Sequence, residues 1–201
     1  MKRIITIGRE FGSGGHEIGK LTAEALGIAF YDKELLAAVD KESGFSERYI
    51  EEGGEYATAT NSLLFNIAVS SGYNTPGKGL TPSDQVYVLQ SNLIQDLAEE
   101  KPCVIVGRCA DYILRERTDC LHVFLYADMD YRERRIVERY GQTKMTPENR
   151  LKDKDKRRRV FYRHYTGRDW GSPHNYDLCL NTGTVGTERC VEILTDLYRA
   201  L

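Results

Sequence analysis

The chain has 201 residues, of which 41% are hydrophobic and 29% charged, and its formal net charge is −2 at pH 7. This size suits one domain with its own core, and the near-neutral charge gives no indication of a nucleic-acid or membrane surface. No apolar run approaches the roughly 18 residues that a membrane helix needs, so we expect a cytoplasmic protein. The five cysteines have no CxxC spacing, which favours buried reduced thiols over a disulfide or a zinc site.

Short apolar segments alternate with amphipathic ones along the chain. Strands are predicted at residues 3–8, 29–31, 103–106, 121–126 and 177–180. Helices are predicted at 20–26, from Asp32 to about 39, at 61–70, after a cap at Ser83, and at 110–117, 130–140, 147–165 and 188–201. This alternation predicts an α/β fold with a parallel sheet of about five strands and helices on both faces. Residues 42–100 and 141–175 are interpreted as insertions on a single domain spanning 1–201.

A glycine-rich segment, GREFGSGGHEIGK at residues 8–20, separates the first strand from the first helix. A strand-loop-helix unit presents backbone N–H groups and the positive end of a helix dipole to an anion, so the segment predicts a phosphate-binding loop. The alternative is a tight turn without a ligand. The candidate phosphate or ATP ligands are Arg9, Gly12, Ser13, Gly14, Gly15, His16 and Glu17.

The loop departs from the GxxxxGK[ST] motif at the position of its cation. When Gly12 and Gly14 are aligned with that motif, Gly15 stands where the motif has lysine. His16 and Glu17 follow at the positions where a hydroxyl is usual. Arg9 and His16 are the candidates to replace the missing charge.

Three further segments follow the loop in order: VIVGRCAD at 104–111, LHVFLYADMDYRERR at 121–135, and DKRR at 155–158 before the strand DLCLNT at 177–182. Together they resemble the cytidylate kinases, and more closely the cytidylate kinase-like proteins that carry the GREFGSGG loop. The resemblance implies a three-layer P-loop NTPase fold with a helical lid near residues 141–175. It also implies that residues 42–100 shape the acceptor pocket.

The resemblance further implies an acceptor site after the third strand. In the family a G-R-D pattern contacts the acceptor nucleotide; here Gly107 and Arg108 match it, Cys109 replaces the acid, and Asp111 is the nearest carboxylate. Of the family's D-[ST]-G segment only Asp32 remains. The acceptor-binding candidates are Arg108, Asp111 and Arg135.

The segment 150–159 is strongly basic, with seven lysines and arginines against Asp153 and Asp155. A lid that carries such charges could close over phosphates, and the resemblance makes Arg157 and Arg158 the catalytic candidates beside Asp32. The alternative is a solvated basic helix. On the preceding helix, surface ion pairs with glutamates are expected; the residues concerned are Arg132, Arg134, Arg139, Glu133 and Glu138. The aromatic tract 162–177 could stack on a base or pack the lid against the core.

Three functions remain open from the sequence. The first is a kinase that uses ATP and Mg²⁺ to phosphorylate a nucleoside monophosphate, with CMP or dCMP indicated by the resemblance. The second is a nucleotide-binding regulator without activity, suggested by the absent lysine. The third is a kinase of a non-nucleotide metabolite. The expected partners are small nucleotides, with a homodimer left open. No dedicated metal site, nucleic acid or membrane is expected.

Overall fold

The computed structural model describes residues 3–32 and 82–200. The strands are β1 (Ile4–Arg9), β2 (Ala29–Tyr31), β3 (Cys103–Val106), β4 (Cys120–Tyr126) and β5 (Leu178–Asn181). The helices are α1 (Gly15–Leu26), α2 (Pro82–Glu100), α3 (Ala110–Ile113), α4 (Met129–Tyr140), α5 (Pro147–Thr166), α6 (Thr182–Val185) and α7 (Thr187–Ala200), with a 3-10 turn at Pro173–Asn175.

The five strands form one parallel sheet in the order β2-β3-β1-β4-β5, which confirms the predicted sheet. β1 lies at the centre, where Ile5 is level with Val104 of β3 and Leu121 of β4. β2 and β3 lie on one side of β1, and β4 and β5 lie on the other. Open α/β sheets bind ligands at the carboxyl ends of their strands, at the point where the strand order reverses. The carboxyl ends of β1, β3 and β4 are therefore the expected place for a site.

Helices cover both faces of this sheet. On one face, α1 and α7 bury Ile18 and Leu194 against β1, β3 and β4. On the other face, α2 buries Ile94 beside Ile4 and Ile105. Strands buried on both faces are apolar at successive positions, which explains why β1 and β3 read as continuous hydrophobic runs.

Helix boundaries are where the sequence predictions were least accurate. The helix expected at 110–117 is only the four residues of α3, because the chain must turn back into β4; Arg117 holds that turn through ion pairs with Glu99 and Asp119. Ser83 lies inside α2 rather than capping it, since α2 begins at Pro82, and proline is favoured in the first helical turn. The basic segment forms one continuous helix, α5.

Several predictions fall outside the described residues. They are the helix from Asp32 to about 39, the helix at 61–70 and most of the insertion at 42–100.

Candidate active site at the carboxyl edge of the sheet

The glycine-rich loop connects β1 to α1 and packs against α4. Gly12 and Gly14 have φ values of 83° and 86°, in the left-handed region that favours glycine. A Cβ on Gly12 would lie 3.1 Å from the carbonyl oxygen of Arg132, and one on Gly14 would lie 3.2 Å from Nη2 of Arg135. Gly14 is also the N-cap of α1, so no side chain at this position occupies the first-turn N–H groups of the helix. This geometry suits an anion at the start of α1.

Ser13 stabilises the loop from within. It is 1% exposed, and its hydroxyl donates a hydrogen bond of 2.9 Å to the carbonyl oxygen of Glu10. The hydroxyl of Thr182, the first residue of α6, donates to the carbonyl oxygen of Ser13 at 2.7 Å. The Ser13 hydroxyl is therefore engaged inside the turn, and its role as a phosphate donor stays a prediction.

A buried charge cluster joins the loop to α4 and α5. Arg132 Nη1 donates to Asp155 Oδ2 at 2.6 Å, and Arg132 Nε lies 3.4 Å from Glu10 Oε2. Asp155 Oδ1 accepts the N–H of Phe11 at 2.7 Å. Burial raises the pKa of Glu10, an effect that the nearby Arg132 opposes. The cluster fixes the loop backbone against two helices.

The expectation that Arg132 pairs at the surface with Glu133 and Glu138 was wrong. The position of Arg132 on the helix, one turn before an apolar residue, was the sequence signal that it faces the core. Arg132 is 6% exposed and lies one turn before Ile136, which is 0% exposed, so both residues belong to the buried stripe of α4.

Glu17 and Arg135 contact each other rather than the parts of the site predicted for them. The carboxylate of Glu17 accepts a hydrogen bond from Arg135, and its other oxygen lies 3.1 Å from Arg139 Nη2. The hydrogen bond from Arg135 is the largest cause that lowers the pKa of Glu17. The structure thus places Arg135 over the start of α1, and its acceptor-binding role stays a prediction.

Asp32, directly after β2, lies between two candidate cations of the loop. Its Oδ2 accepts from His16 Nδ1 at 2.6 Å, and its Oδ1 lies 3.6 Å from Arg9 Nη2. Asp32 is 6% exposed, whereas the side chain of His16 is 55% exposed. The structure therefore brings together three residues that the sequence had singled out separately.

A small cavity of about 20 Å³ opens between the carboxyl ends of β1 and β3, which is room for about one water molecule. Its lining includes Arg9 from the loop, Asp111 from the segment after β3, and Arg158, Tyr162 and Trp170 from α5 and beyond. The glycine-rich loop, the acceptor candidate Asp111 and the lid candidate Arg158 thus share one cavity.

The turn that leads from β3 to this cavity has an unusual backbone. Gly107, Arg108 and Cys109 have φ values of 79°, 59° and 55°, so two consecutive non-glycine residues adopt the left-handed conformation. Each such residue costs on the order of 1–3 kcal/mol, and such strain clusters at functional sites. Arg108 is 4% exposed within this turn. Composition and spacing carry no signal for this strain.

Comparison with known proteins places the chain in a family. A family model described as cytidylate kinase-like matches residues 4–184. The chain belongs to the cytidylate kinase-like family. A curated relative, the cytidylate kinase of Archaeoglobus fulgidus, is 27% identical over 194 residues, which are 94% of this chain and 91% of that protein.

Solved structures support the same fold. An uncharacterized protein from Eubacterium ventriosum is 29% identical with a TM-score of 0.73, and the match covers 100% of both chains. A gluconokinase from Sinorhizobium meliloti is 16% identical with a TM-score of 0.56, covering 100% of this chain and 97% of the other. A shikimate kinase from Acinetobacter baumannii is 16% identical with a TM-score of 0.54, and the match covers 100% of this chain and 94% of the other. This cytidylate kinase-like chain therefore has the α/β fold of the P-loop kinases.

The two lid candidates of this cytidylate kinase-like chain lie in different surroundings. Arg158 is 6% exposed; its Nη1 donates to the carbonyl oxygen of Arg9 at 3.0 Å, and its guanidinium lies over the ring of Phe11. Arg157 instead donates to Asp153, one turn earlier on α5, at 3.0 Å. Arg158 therefore contacts the glycine-rich loop, whereas Arg157 does not reach it in these contacts, and the catalytic roles of both stay predictions.

The aromatic tract packs the segment after α5 against the sheet. Trp170 and Tyr176 contact Phe124 of β4, with ring centroids 5.4 and 4.9 Å apart. This favours the packing interpretation, although both rings also line the cavity.

Within residues 3–32 and 82–200, no helix has the length and apolarity needed to cross a membrane. The same residues contain no cluster of three His, Cys, Asp or Glu side chains that could hold a metal ion.

Asp111 should make the stability of the fold depend on pH. Burial is the main cause that raises its pKa to about 6, although the hydroxyl of Tyr162 donates to its carboxylate at 2.7 Å and opposes the rise. An unfolded aspartate ionises near pH 3.9, so between about pH 4 and 6 the folded chain binds more protons, and the free energy of unfolding falls as the pH rises. As the pH rises from about 4 to 6, the free energy of unfolding of Asp111→Asn should increase by roughly 2–3 kcal/mol relative to that of the native chain. Above about pH 6 the difference between the two should stay constant.

Urea unfolding at several pH values between 4 and 7.5 measures this difference. The altered hydrogen bond with Tyr162 changes the free energy of unfolding of the variant by the same amount at every pH. It therefore does not affect how the difference between the two chains depends on pH. Asp169→Asn removes an exposed carboxylate instead of a buried one and is the control. Parallel stability curves for the native chain and Asp111→Asn would contradict the raised pKa.

Proposed function

We propose that this chain transfers the γ-phosphate of ATP to a nucleoside monophosphate, with CMP or dCMP as the acceptor. The observation that carries the proposal is the shared cavity, because Arg9 of the phosphate loop and Asp111 of the acceptor turn line it together. Kinase chemistry needs donor and acceptor phosphates held in line by amides and cations. Membership of the cytidylate kinase-like family and the relative named cytidylate kinase support the choice of acceptor.

The described residues fit a nucleotide better than a protein-held metal. The left-handed glycines and the open first turn of α1 form a cradle for the donor phosphates. His16, at the position where a P-loop has its magnesium-binding hydroxyl, contacts Asp32 instead, and the next residue, Glu17, is held by Arg135 and Arg139. Mg²⁺ would therefore arrive with ATP, where it neutralises the charge on the phosphates.

Binding of an acceptor nucleotide requires the cavity to open. Ligand sites commonly measure about 300–1,000 Å³, far more than the space present here. Among the described residues, α5 and the segment after it cover the cavity, which they reach through Arg158, Tyr162 and Trp170. We propose that these parts move outward to admit the acceptor and then close to exclude water.

A second candidate function is phosphorylation of a small alcohol. It is favoured by Asp32, whose carboxylate lies against His16 and Arg9 beside the loop. A hydroxyl acceptor benefits from a general base at such a position, whereas a phosphate acceptor is already nucleophilic near neutral pH. The small cavity is also consistent with an acceptor smaller than a nucleotide.

One assay separates these functions. ADP release is measured with ATP and Mg²⁺ against CMP, dCMP, UMP, AMP, GMP, nucleosides, shikimate and gluconate, with an acceptor-free control. Turnover with a pyrimidine monophosphate supports the proposal, and turnover only with an alcohol supports the second candidate. ATP binding without turnover on any acceptor would instead favour a nucleotide-binding regulator.

Arg108→Ala should separate acceptor binding from ATP binding. Arg108 lies in the strained turn after β3, which the proposal assigns to the acceptor, so its loss should raise the KM for CMP by roughly 10- to 100-fold, the usual effect of removing a hydrogen bond to a charged group. The affinity for ATP should change little. Initial rates at varied CMP and calorimetry with ATP measure the two effects. A selective loss of ATP affinity would overturn the assignment.

A further inference from the structure

The loop lacks a lysine at its usual position, but a cationic side chain occupies the space that this lysine would use. Gly15, at the lysine position, is the first residue of α1 and does not have a left-handed φ. Its backbone would therefore accept any side chain. What excludes one is Arg9: a Cβ on Gly15 would lie 2.7 Å from Arg9 Cβ and 2.8 Å from Arg9 Cγ.

These distances explain the two departures from the P-loop motif as one change. Distances below 3 Å cannot be relieved by rotating the far end of the side chain, because the atoms concerned are the first two carbons of Arg9. A lysine at position 15 and an arginine at position 9 thus exclude each other. The chain places its long cation on the last residue of β1 and leaves a glycine where the helix begins.

We propose that Arg9 is the phosphate-binding cation of this loop and does the work of the P-loop lysine. This inference rests on the proposed function, since it assigns a residue to the ATP site. An arginine can donate two parallel hydrogen bonds to a phosphate, so it is chemically suited to the role.

The surroundings of Arg9 hold its side chain at the site. Its carbonyl oxygen accepts a hydrogen bond from Arg158 at 3.0 Å, which fixes the backbone at the end of β1. Its guanidinium lies 3.6 Å from Asp32, and its side chain is 11% exposed. Asp32 therefore orients the guanidinium before a phosphate binds. His16, the other candidate cation, contacts the opposite oxygen of Asp32 and is largely exposed.

Calorimetry with ADP tests the assignment without knowledge of the acceptor. Arg9→Gln should weaken ADP binding by roughly 10- to 100-fold, and Arg9→Lys should weaken it less. His16→Gln should weaken ADP binding less than Arg9→Gln does. Arg189→Gln, which removes an exposed arginine on α7, is the matched control and should bind ADP like the native chain. Thermal unfolding of each variant shows whether it is folded.

An exchange of the two residues gives a second, independent test. Arg9→Gly with Gly15→Lys creates the sequence GEFGSGK, a GxxxxGK motif, at residues 9–15. Gly15→Lys alone should weaken ADP binding, because the lysine stem meets Arg9. Arg9→Gly alone should also weaken it, and the double variant should recover ADP affinity to within about threefold of the native chain.

The outcomes separate the inference from the proposed function. The inference is supported if the native chain binds ADP and folded Arg9→Gln binds it weakly. It is also supported if the double variant recovers the ADP affinity that Arg9→Gly loses. If the native chain binds ADP and folded Arg9→Gln binds equally well, the inference is overturned and the proposed function stands. A double variant that is folded but binds no better than Arg9→Gly also overturns it. A native chain that binds neither ADP nor ATP rejects both.

Discussion

Gly14→Val is expected to abolish nucleotide binding by this chain. Gly14 has a φ of 86°, a conformation in which a β-branched residue is a strong outlier. Its added Cβ would also lie 3.2–3.4 Å from three atoms of the Arg135 guanidinium. The valine would therefore both strain the N-cap of α1 and displace Arg135 from Glu17. Calorimetry with ADP should detect no binding at millimolar ligand.

A matched control separates crowding of the loop from backbone strain. Gly27, at the other end of α1, has a φ of 67°, and nothing lies within 4 Å of the position of its Cβ. Gly27→Val imposes similar strain in open space, so it should lower stability by about 1–2 kcal/mol and leave ADP affinity near native. Unchanged ADP binding by folded Gly14→Val would mean that the glycines only form a turn.

Asp155→Ala is expected to destabilise the fold by about 3–5 kcal/mol, the range measured when one partner of a buried ion pair is removed. The substitution leaves the buried guanidinium of Arg132 without its 2.6 Å partner and removes the acceptor for the N–H of Phe11. Since whole domains are stable by only about 5–15 kcal/mol, the variant should lie near the limit of folding. Urea unfolding followed by circular dichroism measures the loss.

A neighbouring aspartate on the same helix provides the control for Asp155. Asp153 pairs with Arg157 on the solvent side of α5, where an ion pair contributes about 1 kcal/mol at most. Asp153→Ala should therefore change the free energy of unfolding by less than 1 kcal/mol. The double variant Asp155→Ala with Arg132→Met removes both buried charges. Its loss in the free energy of unfolding should therefore be smaller than the sum of the losses in the two single variants. Equal effects of Asp155→Ala and Asp153→Ala would contradict a structural role for the buried cluster.

The sheet and the loop could be predicted because their signals are local. Continuous apolar runs such as CVIV predict strands buried on both faces, and the glycines at 12 and 14 indicate a backbone that must turn sharply before a helix. The membership of the cytidylate kinase-like family confirms the resemblance that the four motifs carry. The boundaries of α2 and α3 were less accurate because they depend on tertiary turns rather than on the pattern of the helix itself.

The side-chain partners in the site could not be predicted from the sequence. The Arg132–Asp155 pair joins residues of two helices, and the 2.6 Å contact of Asp32 with His16 depends on how β2 and α1 pack on β3. The exclusion of a side chain at Gly15 by Arg9 is likewise visible only in three dimensions. Sequence spacing identified these residue types as candidates, whereas the fold determines which of them meet.

The most direct test of the account is transfer of labelled phosphate. The chain is incubated with γ-labelled ATP, Mg²⁺ and CMP, and the products are separated by thin-layer chromatography. The account predicts that the label appears in CDP, that this product requires CMP and Mg²⁺, and that Gly14→Val does not form it. Label that remains in ATP or appears only in inorganic phosphate, with CMP, dCMP and the other nucleoside monophosphates alike, would contradict the assignment as a nucleoside monophosphate kinase.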